Sequence, residues 1–317
     1  FDTPTAWATQ GERRFARRVP AVACWFMADG RVEGVLLYLP APLLTRPKPM
    51  HRPAPFILAC LLAFSPALPA LAEGVDVGKP SALRNLVPAD QLERSSARQY
   101  REMMREAAAK KALAPDDHPQ LQRLRGIARR MLPHAARFNP RAEKWQWEIN
   151  LIGSKQVNAL CMPGGKIAAY TGLIEGLKLT DDEIGVVIGH EIAHALREHA
   201  RERVAKNELT SLGAVLLGEF IGGGRYTDAF QLGGNLLTLK FSRDDETEAD
   251  VVGLELTARG GFDPRAGITL WQKMGAASKG EPFAWLSTHP AGNNRIKEIE
   301  RQLPQVMPIY EQARSKY

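Results

Sequence analysis

One stretch constrains this chain more than any other: Thr180-Asp181-Asp182-Glu183-Ile184-Gly185-Val186-Val187-Ile188-Gly189-His190-Glu191-Ile192-Ala193-His194-Ala195-Leu196. Thr180 and Glu183 have the spacing of a capping box, and the acids that follow Thr180 suit the positive end of a helix. The spacing predicts a helix that carries His190-Glu191-Ile192-Ala193-His194 in its interior. Residues four apart lie on one helical face a turn from each other, so both imidazoles can reach one zinc ion. Glu191 sits beside the first ligand without binding the metal. Its carboxylate is placed to take a proton from a metal-activated water and pass it to a leaving group. Two surface histidines on an amphipathic helix would be the plainer reading, but Ile184, Val186, Val187, Ile188, Ile192 and Leu196 make the segment too apolar for that.

A catalytic zinc needs a third protein ligand and an open fourth position. His199 is too close in sequence, and at nine residues after His190 it falls off the ligand face. A third histidine ten residues after His190 would stand at position 200, which is Ala200, so the metzincin pattern is excluded. Farther on, Phe241-Ser242-Arg243-Asp244-Asp245-Glu246-Thr247-Glu248-Ala249-Asp250 leads into the apolar Val251-Val252-Gly253-Leu254. Glu246 and Asp250 are one turn apart on a predicted helix. Glu246 can bind the metal while Asp250 accepts an imidazole N–H from a ligand histidine. Glu248 points elsewhere. A solvated acidic helix start accounts for Asp244 and Asp245, but not for an acid that precedes an apolar run.

The N-terminal part differs from the rest. Residues 1–72 hold eight Lys/Arg against four Asp/Glu and ten of the 22 prolines, which leaves +3 of the chain's net +7 for residues 73–317. That balance gives no reason to expect nucleic acid as a partner, and no zinc-finger or helix-turn-helix spacing is present. Met50-His51-Arg52, the apolar run Phe56 to Phe64, and Ala70-Leu71-Ala72 have the three-part layout of a secretory signal peptide cleaved after Ala72. An uncleaved anchor is the alternative, since Pro53 to Ala72 is uncharged and just long enough to span hydrocarbon; Pro66 and Pro69 would break such a helix. Residues 1–49 read as translated sequence upstream of a start at Met50, or else as a disordered extension. Cys24 and Cys60 precede the cleavage point, so residues 73–317 keep Cys161 alone and form no internal disulfide. A single domain over 73–317 is expected.

Within it, Leu92, Ala97, Tyr100, Met103-Met104 and Ala107 recur at helical steps from Pro88 to Ala114, and Leu121, Leu124, Ile127 and Met131 do so from Pro119 to about Leu132. Trp145 to Leu151 alternates as a half-buried strand does. Gln156–Met162 and Lys166–Tyr170 are further extended candidates around Pro163-Gly164-Gly165. From Thr171 onward the pattern is helical. The fold class is therefore α+β, a helical bulk with a small antiparallel sheet.

These residues resemble a known family. His190-Glu191-Ile192-Ala193-His194, followed by Ser242-Arg243-x-x-Glu246-x-x-Ala249-Asp250, is similar to family forty-eight of the metallopeptidases, which includes HtpX-like, BepA-like and CAAX-prenyl-protease enzymes. Asn158-Ala159 with Pro163-Gly164-Gly165 resembles the strand that lines the family's cleft. Ser287-Thr288-His289-Pro290 with Arg295-Ile296 resembles its C-terminal signature. The resemblance runs from about Asn85 to Leu303. It implies a zincin-type domain holding one zinc per chain on His190, His194 and Glu246, with Glu191 as general base and Asp250 behind a ligand histidine. It implies a substrate strand at Asn158, Ala159 and Gly165. An edge strand near Gly165 to Tyr170 is placed to pair with an extended substrate by β-addition. It also implies a loop histidine, His289, that can fill the open metal position, and Arg295 is a candidate for stabilising an oxyanion. The implied activity is zinc-dependent endopeptidase action on misfolded or stalled envelope proteins in the periplasm. A zinc-stabilised chaperone or binding module without catalysis is the alternative, and Glu191 argues against it, because a structural zinc has no use for that carboxylate. The multiple membrane helices of HtpX-like members and the tetratricopeptide array of BepA-like members are not seen here, so the stand-alone periplasmic branch is the nearest match. Peripheral membrane association is compatible with the sequence, which leaves the oligomeric state open.

Overall fold

The computed structural model describes residues 24–28, 31–35, 74–222, 235–278, 284–290 and 294–317. The expected leader at residues 50–72 lies outside these, as does most of residues 1–49. The chain divides into two compact units, Phe1–Pro66 and Ala67–Tyr317. In the first, β1 (Cys24–Ala28) pairs antiparallel with β2 (Arg31–Val35), Cys24 opposite Val35. The hydropathy pattern there predicts no element, although Asp29-Gly30 is a hairpin dipeptide in the sequence.

The second unit begins with α1 (Ala89–Ala109) and α2 (Pro119–Met131). The first helix stops five residues before the expected end. Lys111 takes a left-handed backbone conformation (φ 54°), and the chain turns to run beside the sheet, where Ala114 N–H donates to the Leu151 carbonyl and Gly153 N–H to that of Ala112. The sheet comprises β3 (Glu148–Ile152), β4 (Ala159–Met162) and β5 (Lys166–Tyr170) in the order β3-β5-β4. The α+β class holds, but the sheet is mixed. β4 and β5 form the expected antiparallel hairpin, whereas β3 runs parallel to β5 with Glu148 opposite Lys166. The reason is the connection: residues 153–158 carry the chain past β5 before it turns back, so the returning strand lands between the other two. β5 is thus the central strand, paired on both sides, and is not the edge that the sequence suggested. Gly165 lies in the β4–β5 turn at φ +78°, with its N–H on the Met162 carbonyl and its own carbonyl taking the Glu148 N–H. A Cβ there would come within 2.8 Å of the Trp147 ring.

The helical part follows: α3 (Thr171–Gly176), α4 (Asp181–Leu196), α5 (His199–Gly222), α6 (Arg243–Arg259), α7 (Ala266–Ala277), α8 (Ala284–Thr288) and α9 (Arg295–Ala313). The capping box at Thr180 is formed: Glu183 N–H donates to Thr180 Oγ1 at 3.3 Å and Thr180 N–H to Glu183 Oε2 at 2.8 Å. Ser242 and Asp245 cap α6 in the same way. α4 is buried on every side from Ile184 to Leu196, as its unbroken apolar composition requires. It packs against α6, α2, α7 and β4, and α9 in turn packs on α6. Ile184, Ile188, Ile192 and Leu196 join Leu121, Leu124, Ile167 and Leu173 in the core. Among the described residues no helix is long and apolar enough to cross a membrane.

Candidate metal centre and active site

α4 and α6 each bring two functional side chains to one point. His190 and His194 come from consecutive turns of α4, and Glu246 and Asp250 from consecutive turns of α6. His190 Nε2 lies 3.0 Å from His194 Nε2 and 3.5 Å from Glu246 Oε2, and His194 Nε2 lies 3.4 Å from Glu246 Oε1. His289, just past α8, adds a fourth donor, and one atom from each of these four residues lies within 4.8 Å of the others. All four are buried. Donors held at 2.0–2.2 Å around a tetrahedral zinc stand about 3.3 Å apart, so the three separations fit that ion. The charge fits as well. Glu246 and Asp250 share the one Arg295 guanidinium, and a divalent metal would offset the remaining negative charge.

The surroundings hold the donors in place. Asp250 Oδ1 lies 3.0 Å from His190 Nδ1. Burial alone would resist the ionisation of Glu246 and Asp250. Hydrogen bonds from the histidines outweigh it for Glu246, and Arg295 with His190 does so for Asp250, so both carboxyls sit below their usual range. Burial likewise opposes a charge on His190, but its bonds to Asp250 and Glu246 prevail and raise its pKa to about 9 in the metal-free site. His194 has no such surplus, and burial drives its pKa down.

Arg295 stands at the first turn of α9 and is brought to the site, but not as an open oxyanion donor. Its guanidinium binds Glu246 through Nη1 and Asp250 through Nε and Nη2, and it lies 4.2 Å from the centre of the Trp271 ring. Glu191 Oε1 accepts from Trp285 Nε1 at 2.7 Å and lies 3.6 Å from His289 Nε2. No motif in the sequence singles out Trp285. Its position one turn before His289 on the same short segment was the available signal, because residues four apart share a helical face. It stacks on the His289 ring at 4.9 Å and 25°. Phe241 was also passed over; it stacks on His194 at 4.1 Å and 29°. His199, which its spacing puts off the ligand face, touches His194, its Nδ1 lying 2.9 Å from His194 Nδ1. Glu248 does point away from the donors, towards Arg197 and His199.

On the sheet, Ala159 opens β4 opposite Ala169, and the Asn158 carbonyl accepts from Tyr170 N–H. β4 packs against α4. Its partner on one side is β5, and no strand pairs its other side among the described residues. Gly165, in contrast, is enclosed between β3 and β4 and cannot add a peptide strand.

Residues 119–303 match the sequence profile described as Peptidase family M48. The chain belongs to that family. Among M48 relatives, it is 33% identical over 208 residues to the mitochondrial metalloendopeptidase OMA1 of Schizosaccharomyces pombe, covering 65% of this chain and 59% of the relative. It is 35% identical over 171 residues to the protein of the same name from Arabidopsis thaliana, covering 53% and 34%. It is 27% identical over 201 residues to the metalloprotease LoiP of Escherichia coli, covering 62% and 76%. The chain thus spans between a third and three fifths of those two OMA1 proteins. The M48 domain is a zinc domain, and His190, His194 and Glu246 supply a donor set that suits the ion.

Proposed function

We propose that this chain is a zinc-dependent endopeptidase, with His190, His194 and Glu246 holding the metal and Glu191 acting as general base. One observation carries the reading: Glu191, buried beside the three donors, binds none of them and is aimed by Trp285. A metal that only stabilises the fold gives no reason for an oriented carboxylate at that point. Zinc, when bound, supplies Lewis acidity that polarises a scissile carbonyl and makes a nearby water easier to deprotonate. Glu191 takes the proton from the attacking water and delivers it to the leaving amine nitrogen. Asp250 fixes the His190 ring, and Arg295 holds Glu246 and Asp250 in register. An extended polypeptide pairs with the free side of β4 through main-chain hydrogen bonds, which gives low sequence specificity. That choice replaces the strand at Gly165 to Tyr170.

Substrates of this kind are unfolded or misassembled polypeptides. The signal-peptide layout of residues 50–72 supports action in the bacterial envelope, and one M48 relative is the β-barrel assembly-enhancing protease of Yersinia pestis, 27% identical over 183 residues. The test is to incubate the purified chain with an unfolded protein, with and without chelator, beside Glu191→Gln. Cleavage that chelator abolishes, and that Glu191→Gln loses while keeping its zinc, is the expected result. Full activity in Glu191→Gln would sink the mechanism. A zinc-bound chain that suppresses aggregation but cleaves nothing would favour the chaperone alternative.

A further inference from the structure

The two zinc-binding histidines proposed above turn Nε2 towards the metal, so each keeps a proton on Nδ1 and must donate it. For His190 the acceptor is the Asp250 carboxylate. For His194 it is another imidazole, His199 Nδ1, at 2.9 Å. Two ring nitrogens at that separation share one proton. If His194 Nε2 keeps its lone pair for a metal, the proton belongs to His194 Nδ1, and His199 must present a bare Nδ1. Neutral His199 then carries its own proton on Nε2, which faces Glu248 Oε2 at 2.8 Å. The other oxygen of Glu248 takes the Arg197 guanidinium. Arg197 Nη2 also reaches the backbone carbonyls of Val77 at 3.3 Å and Gly78 at 3.0 Å. His199 and Arg197 are buried, at 1% and 5% exposure, and Glu248 between them is partly exposed.

The backbone explains how His199 arrives there. α4 ends at Leu196, and Glu198 adopts a left-handed conformation at φ 58° before α5 starts at His199. The reversal lays the first residue of α5 back over the last turn of α4. Phe241 stacks on the ring of His194, so packing and hydrogen bonding restrain the same imidazole.

We propose that His199, Glu248 and Arg197 are positioning residues that fix the tautomer and orientation of His194, with the Val77–Gly78 backbone anchoring the row. The inference rests on the zinc reading of the site, and its test separates the two. Zinc affinity is measured by chelator competition on the full chain, for the wild type, His199→Phe, His199→Gln and Glu248→Ala, each checked for folding by circular dichroism. Loss of such an outer partner weakens zinc binding about 10- to 100-fold, and that loss is expected for His199→Phe and Glu248→Ala. His199→Gln keeps an acceptor oxygen and should recover much of the affinity, which a purely structural role would not predict. In the zinc-loaded wild type, nitrogen-15 NMR of the imidazoles should place the proton of His194 on Nδ1 and that of His199 on Nε2. A wild type that takes up no zinc overturns the metal reading and this inference with it. A zinc-binding wild type whose Glu248→Ala variant binds within about threefold overturns the inference alone. A His199 proton on Nδ1 does the same, whether or not His199→Phe folds.

Discussion

Gly189 of α4 and Gly253 of α6 meet backbone to backbone where the two helices cross. A Cβ on Gly189 would stand 2.7 Å from the Gly253 carbonyl oxygen, and one on Gly253 would stand 2.8 Å from His190 N. The close crossing brings the turn that bears His190 against the turns that bear Glu246 and Asp250. A single methyl group here therefore acts on the metal donors through the backbone.

Gly253→Ala is expected to push α6 away from α4, cost about 1–3 kcal/mol of stability or more, and lower zinc affinity. Thermal unfolding of the metal-free protein and a zinc titration check the two effects. Unchanged values for both would show that the crossing yields without disturbing the site.

Arg295→Lys tests the assignment of Arg295. Lysine keeps the charge but cannot reproduce the fork that grips Glu246 and Asp250 together. Zinc affinity and turnover should fall together. A variant with full zinc affinity and reduced kcat alone would instead place the guanidinium on the developing oxyanion.

Trp285→Phe leaves an aromatic ring to pack on His289 and removes the N–H that donates to Glu191. A hydrogen bond to a charged group contributes about 1.5–3 kcal/mol, so kcat should drop about 10- to 100-fold. KM and zinc content should stay near wild type. Steady-state kinetics on an unfolded substrate decide it.

Glu183 couples the start of α4 to acid stability. Burial would raise its pKa, but Lys273, the Thr180 N–H and Thr269 outweigh that and hold it below the ordinary 4.5. A depressed folded-state value means that the stabilisation is complete above about pH 4.5 and is lost as pH falls through the lower value. The melting temperature of Glu183→Gln should lie below wild type at pH 7, and the gap should close as pH falls below 4.5. A gap that is constant with pH would remove Glu183 ionisation as the cause.

The parts of this protein legible in the sequence are those set by local chemistry. The capping box of Thr180 and Glu183 marks a helix, the spacing of His190 and His194 puts both rings on one face, and Asp250 before an apolar run is a buried acid. What escaped depends on how separate segments come together. The parallel pairing of β3 with β5 follows from the path of residues 153–158, which carry no hydrophobic pattern to fix it. The contact of His199 with His194 depends on Glu198, whose left-handed backbone redirects the chain after Leu196 and which no spacing rule marks. The grip of Arg295 on α6 depends on α9 packing there, a contact across 45 residues of sequence to Asp250.

His289 is the residue whose two readings diverge most. Its Nδ1 lies 3.0 Å from Glu246 Oε1 and 3.5 Å from His190 Nε2, its Nε2 lies 3.6 Å from Glu191 Oε1, and the ring is buried at 3% exposure. The residues around it are tied down: His289 N–H donates to the Trp285 carbonyl, and the Thr288 carbonyl takes the Phe241 N–H from the segment before α6. A fourth donor in this position competes with water for the open place on a zinc held by His190, His194 and Glu246. Under the gate reading the enzyme is latent until substrate shifts this segment. His289→Ala should then raise basal proteolysis at unchanged zinc content, while zinc affinity falls only modestly because three donors remain. The alternative gives the imidazole a role at the developing oxyanion, next to Glu191. On that reading His289→Ala is fully metallated and inactive. Basal cleavage of an unfolded protein by the metallated variant, compared with wild type at equal zinc, separates the two by the sign of the change.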